Sequence, residues 1–353
     1  MTSGFWSDRR VLVTGHTGFK GSWLALMLHA LGARVSGFAL APPSDPALFA
    51  VARVGETLDR HIPGDLRDPA AIGHALALVR PDTIFNLAAQ PLVRRSYAEP
   101  VATFAVNVMG SVHLLEAARG CDSVRCIVNV TTDKCYWNNE WPWPYRENEP
   151  LGGRDPYSAS KACAELVTAA YRDSFLQRRG IAVATARAGN VIGGGDWALD
   201  RLLPDYFRAL DAGGARQLRA PDAVRPWQHV LDPLAGYIAL AEAAHGAPGR
   251  FARAWNFGPA DGDARPVRWI LDYLGRRHPA AGGAQSNGDE PHEAHQLRLD
   301  SSQAHCELGW RPKYSLAEAL DMTDRWHAAW RAGQDMQTYS LAQIAAQLAA
   351  AVD

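Results

Sequence analysis

The sequence has few cysteines, little lysine and no long uncharged apolar run. Its 353 residues contain five cysteines but no Cys-x-x-Cys pair and no Cys/His cluster, so neither a disulfide framework nor a metal site is indicated. No uncharged apolar stretch of about 18 residues is present, which argues against a membrane span. The N-terminus lacks the apolar core of a signal peptide. These absences favour a cytoplasmic protein.

The charge is balanced, and most of the positive charge is arginine. The 36 basic and 37 acidic residues give a net charge of −1, which offers no basic field for nucleic acid. Only Lys20, Lys134, Lys161 and Lys313 are lysines, and the other basic residues are arginines. Because a buried ammonium group can lose its proton whereas a guanidinium cannot, these few lysines are candidates for chemical roles.

Apolar strand-like runs alternate with helical patterns in the first half of the chain. The predicted strands are 11–14, 34–38, 83–87, 125–130 and 182–187, and the predicted helices are 23–31, 70–78, 101–118 and 157–178. This alternation predicts an α/β fold with a Rossmann-type doubly wound parallel sheet over residues 1–190. Residues 191–353, which include the low-complexity loop 280–290, predict a smaller mixed α/β substrate-binding region with some segments returning to the main sheet.

A glycine motif joins the first predicted strand to the first predicted helix. It reads Gly15-His16-Thr17-Gly18-Phe19-Lys20-Gly21. Such glycines allow a tight turn, close approach of the backbone to a pyrophosphate and close packing of helix on strand. We expect Gly15, Thr17, Gly18, Phe19, Lys20 and Gly21 to bind a dinucleotide. The alternative is a glycine-rich turn in which Lys20 is a solvated charge, and His16 is expected to brace the turn.

The acidic residue that usually binds the adenosine ribose is missing at the end of the second strand. Residues 35–40 contain no Asp or Glu, and no Arg follows to bind a 2′-phosphate, which mildly disfavours NADP. Asp65 and Leu66 follow the third strand, where they could hold the adenine edge. An Asp in a turn more often caps the backbone, so that alternative stays open.

Tyr157 and Lys161 stand four residues apart at the start of the helix 157–178, on one face of it. An ammonium group near a phenol favours the phenolate and lowers the pKa of the tyrosine toward that of a general base. Such pairs also occur by chance on protein surfaces. Together with the glycine motif in the same chain, this pair predicts a catalytic Tyr157 assisted by Lys161.

Thr132, Asp133 and Lys134 follow the strand 125–130, at the edge where open α/β sheets bind ligands. They offer a hydroxyl, a carboxyl and an amine. The alternative is that Asp133 and Lys134 are solvated loop charges. Three of the four lysines fall in the three motifs described so far, which favours a functional role.

These segments together resemble the extended short-chain dehydrogenase/reductases, and within them the nucleotide-sugar 4,6-dehydratases. The similar segments cover nearly the full length and are 14–23, 131–136, 151–167, 225–230 and 297–312. The resemblance implies NAD as an internal redox cofactor and a nucleotide-sugar substrate, with CDP-glucose expected. It also implies a homodimer formed through the helices 101–118 and 157–178, with a tetramer left open. No membrane or nucleic-acid partner is expected.

The resemblance further implies roles for individual residues. Tyr157, assisted by Lys161 and Thr132, would take the proton of the sugar 4-hydroxyl while C4 gives up a hydride. The resulting ketone acidifies the C5 hydrogen, so a base can remove it while an acid protonates the departing 6-hydroxyl. Better-known members carry Asp-Glu where this chain has Asp133 and Lys134. We expect Asp133 as the acid and Lys134 as the base; alternatively, Lys134 only orients Asp133 or the 6-hydroxyl.

Substrate contacts are expected from residues around the motifs. Asn190 resembles the family asparagine that meets the sugar diphosphate, although such residues often only form turns. Arg201 and Arg225 are candidates for the diphosphate because a guanidinium binds phosphate in a planar, bidentate way. Gln90 is a further expected substrate contact, and Ala88 is an expected cofactor contact.

Two other functions fit parts of the pattern. A nucleotide-sugar 4-epimerase, or a dehydratase of another sugar nucleotide, would use the same Tyr157 and Lys161. The pair of Asp133 and Lys134 argues for dehydration because an epimerase needs no acid for a leaving 6-hydroxyl. A non-catalytic dinucleotide-binding sensor is the second alternative, and the intact Thr, Asp, Tyr and Lys set argues against it.

Overall fold

A parallel sheet with helices on both faces forms the main body of the protein. The computed structural model describes residues 4–213, 216–218, 220–278, 284–286 and 296–349. Within them the largest sheet has seven strands, which are β1 (Arg10–Thr14), β2 (Arg34–Ala39), β3 (Arg60–Pro63), β4 (Thr83–Asn86), β5 (Cys126–Val130), β6 (Ala182–Ala188) and β10 (Ala254–Phe257). Their order in the sheet is β10-β6-β5-β4-β1-β2-β3, and all neighbouring pairs are parallel. The strand order reverses between β1 and β4, which confirms the predicted doubly wound fold.

A smaller mixed sheet follows β6 directly, as predicted. It consists of β7 (Asn190–Ile192), β9 (Val224–His229) and β11 (Ala264–Pro266), in the order β11-β9-β7. A two-stranded ribbon joins β8 (Arg216–Leu218) to β12 (Ala284–Ser286). Of the predicted loop 280–290, only 284–286 belong to the described residues. Strand β10 brings a segment of the second half of the chain back into the main sheet.

Helices connect these strands and cover the main sheet. They are α1 (Phe19–Ala30), α2 (Leu48–Val51), α3 (Pro69–Val79), α4 (Val93–Ala98), α5 (Pro100–Phe104), α6 (Gly110–Arg119), α7 (Pro156–Tyr171), α8 (Leu202–Ala212), α9 (Leu231–Gly246), α10 (Pro248–Phe251), α11 (Val267–Gly275), α12 (Ser302–Glu307), α13 (Leu316–Arg331) and α14 (Met336–Ala349). A π turn, Ala105–Met109, joins α5 to α6. The sequence predicted one uninterrupted helix there.

Each face of the main sheet has its own apolar core. Leu12, Ile84 and Ile127 belong to the core under α3 and α6, whereas Val13 and Val128 belong to the core on the opposite face, under α1 and α9. Alternate residues of one strand therefore enter different cores. Burial on both faces is what a parallel sheet requires, and it leaves the carboxyl edge of the strands for function.

The segment Pro100–Arg119 is, within the described chain, the one helix long and apolar enough in composition to cross a membrane, and the sequence predicts a helix there but no membrane span. Core helices of globular folds meet the same criterion. Here α6 packs against α3 and α7, while Val101 and Met109 remain exposed. The segment is thus a packed helix with an uncovered apolar face.

Candidate active site

The glycine motif forms a turn that larger residues cannot adopt. Gly15 has a φ of +71°, and a Cβ there would lie 2.7 Å from the backbone nitrogen of Ala88. A Cβ at Gly21 would lie 2.1 Å from the carbonyl oxygen of Gly15. Gly18 differs, because among the described residues a Cβ there meets only that same oxygen, at 3.4 Å. Backbone atoms therefore fill the space beside Gly15 and Gly21, whereas the space beside Gly18, at the N-terminus of α1, is open.

The motif is tied to the strands and loops around it. The hydroxyl of Thr17 donates to the carbonyl oxygen of Leu40 at 2.9 Å, just beyond β2. The ring of Phe19 lies close to Gly193, where a Cβ would be 3.3 Å from its Cζ. The backbone nitrogen of Ala88 donates to the Thr14 hydroxyl at 3.2 Å. These contacts place Thr17, Phe19 and Ala88 around the turn.

Lys20 is a half-buried residue among other charged groups, unlike a solvated surface lysine. Burial lowers its pKa to about 7, and the positive charges of Lys161 and Arg201 act in the same direction. Asp133 and Asp196 oppose that shift. The glycine motif thus contributes a cation to the same electrostatic cluster as the two other motifs.

Two histidines lie where the sequence lacks a ribose-binding acid. The ring of His16 occupies the space beside Gly37 of β2, where a Cβ would lie 2.3 Å from it. Its Nε2 is 2.7 Å from Nδ1 of His61, whose position in β3 is the register partner of Gly37. Burial lowers the pKa of His16 to about 4. Sequence reasoning missed His61, because its place beside the motif follows from the pairing of β2 with β3.

The predicted adenine contacts lie after β3. Asp65 forms an ion pair with Arg67 at 2.6 Å and also accepts from the backbone nitrogen of Arg67. Hydrogen bonding from Arg67 holds the pKa of Asp65 below its usual value. Leu66 is buried, and its carbonyl oxygen is 2.8 Å from Nδ1 of His113. Asp65 therefore forms the turn cap that the alternative interpretation described, and its contact with adenine stays a prediction.

Gln90 is engaged within its own loop. Its amide nitrogen donates to the Leu92 carbonyl and to the Thr103 hydroxyl, each at 3.0 Å. Its amide oxygen accepts from the backbone nitrogen of Leu92 at 2.7 Å. The side chain thus fixes the segment between β4 and α4. Contact of Gln90 with the substrate stays a prediction. The substrate would have to share the side chain with these hydrogen bonds.

The loop after β5, residues Thr132 to Cys135, places a carboxyl group in a dry position; we call it the catalytic loop. A 3₁₀ turn, Asp133–Cys135, begins at Thr132, whose hydroxyl donates to Oδ1 of Asp133 at 2.9 Å. Asp133 is buried, and its Oδ2 has no hydrogen-bond partner among the described residues. Burial raises the pKa of Asp133, although Lys134 and Arg225 oppose the rise. A carboxyl held in this way is suited to donate a proton.

Helix α7 brings Tyr157 and Lys161 to this loop. Its start is fixed by Asp155, whose side chain accepts from the backbone nitrogen of Ser158 at 2.9 Å. Burial raises the pKa of Tyr157 to about 12, while a hydrogen bond with Thr132 acts in the opposite direction. The predicted lowering of this pKa is therefore wrong for this structure, because burial of the phenol outweighs the groups that favour the phenolate.

Lys161 is buried behind Tyr157. Its Nζ donates to the carbonyl oxygen of Val130 at 3.2 Å. Burial lowers its pKa to about 8, and the negative charge of Glu165 opposes that shift. The ammonium group is thus anchored to the end of β5, two residues before the catalytic loop. Its fixed position is what a group that assists Tyr157 needs.

The predicted substrate residues come from the smaller region. Arg201, at the start of α8, forms an ion pair with Asp196 at 2.8 Å. Arg225 is buried in β9, and its Nη1 donates to the Val224 carbonyl at 3.0 Å. Asn190 begins β7 beside β9. Because Arg201 acts on Lys20 and Tyr157, and Arg225 acts on Asp133, both arginines belong to the electrostatic environment of the site.

Sequence reasoning missed a buried ion pair next to the site. Glu165 and Arg187 have side chains that are each 3% exposed, and two of their atoms lie 2.8 Å apart. The available signals were an acidic residue four positions after Lys161 and an arginine inside an otherwise apolar strand. Neither signal reveals that the two residues meet.

Comparison with known proteins agrees with this site. A family model described as GDP-mannose 4,6 dehydratase matches residues 12–253. The chain is 47% identical over 352 residues to CDP-glucose 4,6-dehydratase of Salmonella typhimurium, covering 98% of each chain. It is 31% identical to dTDP-glucose 4,6-dehydratase of Streptomyces griseus over 91% of this chain and 95% of that one.

A solved structure shows the same fold. The dTDP-glucose 4,6-dehydratase of Streptomyces venezuelae, solved as a double mutant with NAD bound, is 28% identical and superimposes with a TM-score of 0.77. The match covers 92% of this chain and 98% of that one. The predicted family is therefore confirmed. The chain belongs to the nucleotide-sugar 4,6-dehydratase family that the GDP-mannose 4,6 dehydratase model describes.

Proposed function

We propose that this protein is an NAD-dependent 4,6-dehydratase that converts CDP-glucose to CDP-4-keto-6-deoxyglucose. The observation that carries the proposal is the meeting of Asp133, Tyr157 and Lys161 at the carboxyl edge of the sheet, beside an open glycine turn. The substrate is supported by the 47% identity to the CDP-glucose enzyme over nearly the whole chain.

The glycine turn fits a dinucleotide. Its back is sealed by the contacts of Gly15 and Gly21, while Gly18 faces open space at the start of a helix. Gly18 and the first-turn amides would hold the pyrophosphate, and Lys20 adds a nearby cation. NAD held there would supply the acceptor for the hydride that sugar C4 loses and the donor of the hydride that C6 gains, so that no NAD would be consumed.

The protein's own groups move the protons of the first step. Tyr157 receives the proton of the sugar 4-hydroxyl. A hydrogen bond with Thr132 favours the phenolate that burial disfavours. We assign the same effect to the ammonium group of Lys161, which lies one helical turn away. Removing the hydroxyl proton lets C4 become a ketone.

The elimination of water needs an acid and a base. Burial raises the pKa of Asp133, which favours its protonated form, and we assign it the protonation of the leaving 6-hydroxyl. Lys134 is the next residue along the loop and half-buried. We assign it the removal of the C5 proton, which the ketone at C4 has acidified. If Lys134 only orients Asp133 or the 6-hydroxyl, another group has to exchange that proton.

Turnover in deuterated water tests both the activity and the assignment. The purified protein is incubated with CDP-glucose, with and without added NAD, and the product is analysed by mass spectrometry. We expect loss of one water and gain of deuterium at C5. Dehydration of dTDP-, UDP- or GDP-sugars in place of CDP-glucose would overturn the substrate, and binding of NAD without turnover would favour a sensor.

Two variants separate the roles of Lys134. If Lys134 is the base, Lys134→Ala abolishes C5 exchange, and Lys134→Glu, which restores the pair found in other members, keeps part of it. Full exchange in Lys134→Ala would contradict the assignment. Lys313→Ala is the control, because Lys313 lies outside the motifs and its Nζ donates to the Ala346 carbonyl near the C-terminus.

We further propose that two copies of the chain associate through α5, α6 and α7. Exposed apolar side chains lie on α5 and α7, on the π turn between α5 and α6, and on the π turn Arg172–Leu176 that follows α7; they are Val101, Phe104, Met109, Leu166 and Phe175. A second copy would cover this face by two-fold packing of helices.

The five cysteines are free thiols, which suits the reducing cytoplasm that we propose as the location of the protein.

A further inference from the structure

A carboxylate–guanidinium pair is buried directly behind the catalytic residues. The Oε1 of Glu165 accepts from Nε of Arg187 at 2.9 Å, and Oε2 accepts from Nη2 at 2.8 Å. The hydroxyls of Thr131 and Thr185 donate to the same carboxylate, the latter at 2.7 Å. Burial opposes ionisation of Glu165, but Arg187 and these donors outweigh it and hold its pKa below the usual value.

This pair contacts both ends of the catalytic loop. Thr131, which bonds to Glu165, immediately precedes Thr132. At the other end, Tyr136 follows Cys135, and its hydroxyl accepts from Nη1 of Arg187 at 2.7 Å. The loop that carries Asp133 and Lys134 is therefore held between a contact with the carboxylate and a contact with the guanidinium.

The same pair is coupled to the lysine behind Tyr157. Glu165 lies one helical turn after Lys161 on α7, so that both face the end of β5. The titratable groups that act on Lys161 are Lys20 from α1, Cys135 from the catalytic loop, and Glu165 from its own helix. Among these three, Lys20 acts against a positive charge on Lys161.

We propose that Glu165 and Arg187 are positioning residues of the active site. The two residues fix the catalytic loop at both ends, and Glu165 supplies the negative charge that keeps Lys161 protonated beside Tyr157. Neither residue touches the reacting atoms in this assignment.

Stability alone is a weak reason for such a pair. Buried ion pairs rarely stabilise a fold more than well-packed apolar residues of similar size. The double variant Glu165→Gln/Arg187→Met removes both charges. Its glutamine oxygen can still accept from one of the two threonine hydroxyls, and its amide nitrogen can donate to the hydroxyl oxygen of the other. We therefore expect it to fold with a thermal midpoint close to that of the wild type.

The scarcity of lysine gives a direct readout that does not depend on activity. Lysine labelled with ¹³C at Cε yields resonances from only four residues, and Lys161→Arg identifies that of Lys161. We expect the titration midpoint of Lys161 to fall by about one pH unit in the double variant. That of Lys313 should stay unchanged. An unchanged midpoint for Lys161 would overturn the electrostatic part of the proposal.

Kinetics test the positioning part, which rests on the proposed function. We expect kcat on CDP-glucose to fall roughly 10- to 100-fold with little change in KM, and the limb of the pH profile that reports Lys161 to move to lower pH. The control for loss of an ion pair is a double variant of Arg10 and Asp82, whose ion pair lies at the amino ends of the central strands β1 and β4. Unchanged kcat in folded Glu165→Gln/Arg187→Met would overturn this part.

A second variant keeps the test open if the double variant does not fold. Tyr136→Phe leaves the ion pair intact but removes the hydroxyl that links Arg187 to the catalytic loop. It should lower kcat with the Lys161 midpoint retained, and wild-type kcat would overturn the link. If the wild type turns over no sugar nucleotide, the proposed function fails, while the titration of Lys161 still decides the electrostatic part.

Discussion

In the glycine turn, the position of a single backbone atom decides whether a residue with a Cβ can replace a glycine. In Gly21→Ala the new Cβ would meet the Gly15 carbonyl at 2.1 Å, a backbone contact that cannot relax cheaply. We expect the free energy of unfolding to fall by about 2 kcal/mol or more, together with loss of NAD binding. Thermal unfolding with and without NAD measures both.

Gly18→Ala is the matched variant, because Gly18 has a φ of −84° and a Cβ there would meet, among the described residues, only the Gly15 carbonyl oxygen at 3.4 Å. Its methyl group would point toward the proposed pyrophosphate. It should therefore retain wild-type stability and lose the stabilisation by NAD. Equal stability of the Gly21→Ala protein and the wild type would contradict the described turn.

Tyr157 is predicted to carry the first proton transfer. Tyr157→Phe removes only the hydroxyl, so we expect kcat to fall about 10²- to 10⁴-fold while binding of NAD and CDP-glucose persists. Turnover and calorimetric binding measure the two quantities. Tyr273→Phe is the control, because the hydroxyl of Tyr273 donates to Oδ1 of Asp321 at 2.7 Å and its pKa is influenced by Asp321 and Arg277, none of them a catalytic residue, so its loss should not affect turnover. Normal turnover by Tyr157→Phe would exclude the phenol from catalysis.

The sequence could predict site residues whose spacing itself brings them together. Gly15, Gly18 and Gly21 share one turn, and Tyr157 and Lys161 share one helix face, so local geometry is enough. Glu165 and Arg187 meet because β6 lies beside α7, and His61 reaches His16 because β3 pairs with β2. Those contacts depend on tertiary packing, which one sequence without its fold does not specify.

The helices α5, α6 and α7 carry the prediction about assembly. Val101 of α5 is 82% exposed and Leu166 of α7 is 59% exposed, and these two helices pack against each other. Val101→Glu/Leu166→Glu would place charges in the proposed two-fold contact, so we expect the mass in solution to fall from dimer to monomer. Sedimentation equilibrium measures this change.

The control for assembly is Leu78→Glu, which introduces the same charge at an exposed leucine of α3. It should leave the mass unchanged. A dimer that persists in the double variant would place the contact elsewhere, and a monomeric wild type would exclude the proposed assembly at the tested concentration.

The five apolar runs predicted as strands match β1, β2, β4, β5 and β6, because these strands are buried on both faces. The residues of β3 are mostly exposed, so β3 forms no such run. The π turn Ala105–Met109 was not predictable from this pattern. Its buried Asn107 accepts from the backbone nitrogen of Gln90 at 2.8 Å, a contact across the fold that the helical periodicity around it does not signal. The smaller region has short strands, so its register was left open.

At the scale of the whole molecule, one buried carboxylate joins the C-terminal segment to the main body. Asp232, at the start of α9, accepts from the backbone nitrogens of Lys313 at 3.0 Å and Tyr314 at 3.3 Å. It also lies 3.4 Å from the amide nitrogen of Gln347 in α14. Burial raises the pKa of Asp232 to about 6, although these donors oppose the rise.

This raised pKa predicts how stability depends on pH. The folded protein binds the proton of Asp232 more tightly than the unfolded chain does, whose aspartates titrate near pH 4. The stabilisation is thus present below about pH 4 and is lost as the pH rises to 6. Replacing the ionisable group in Asp232→Asn should make the variant gain about 3 kcal/mol relative to the wild type between pH 4 and 7.

Buried histidines make the comparison with the wild type necessary. His16 and His245 have pKa values lowered to about 4 by burial, so their contribution is complete above pH 6.5 and is lost as the pH falls toward 4. The effect of these histidines on the free energy of unfolding is the same in both proteins, so it cancels in the difference between them. Any pH-independent cost of the asparagine amide shifts that difference equally at every pH and leaves its change with pH unaltered. Urea unfolding of both proteins at pH 4, 5, 6 and 7 yields that difference. A difference that stays constant across the series would show that Asp232 titrates alike in the folded and unfolded chains, and that the anchoring of the C-terminal segment does not depend on its charge.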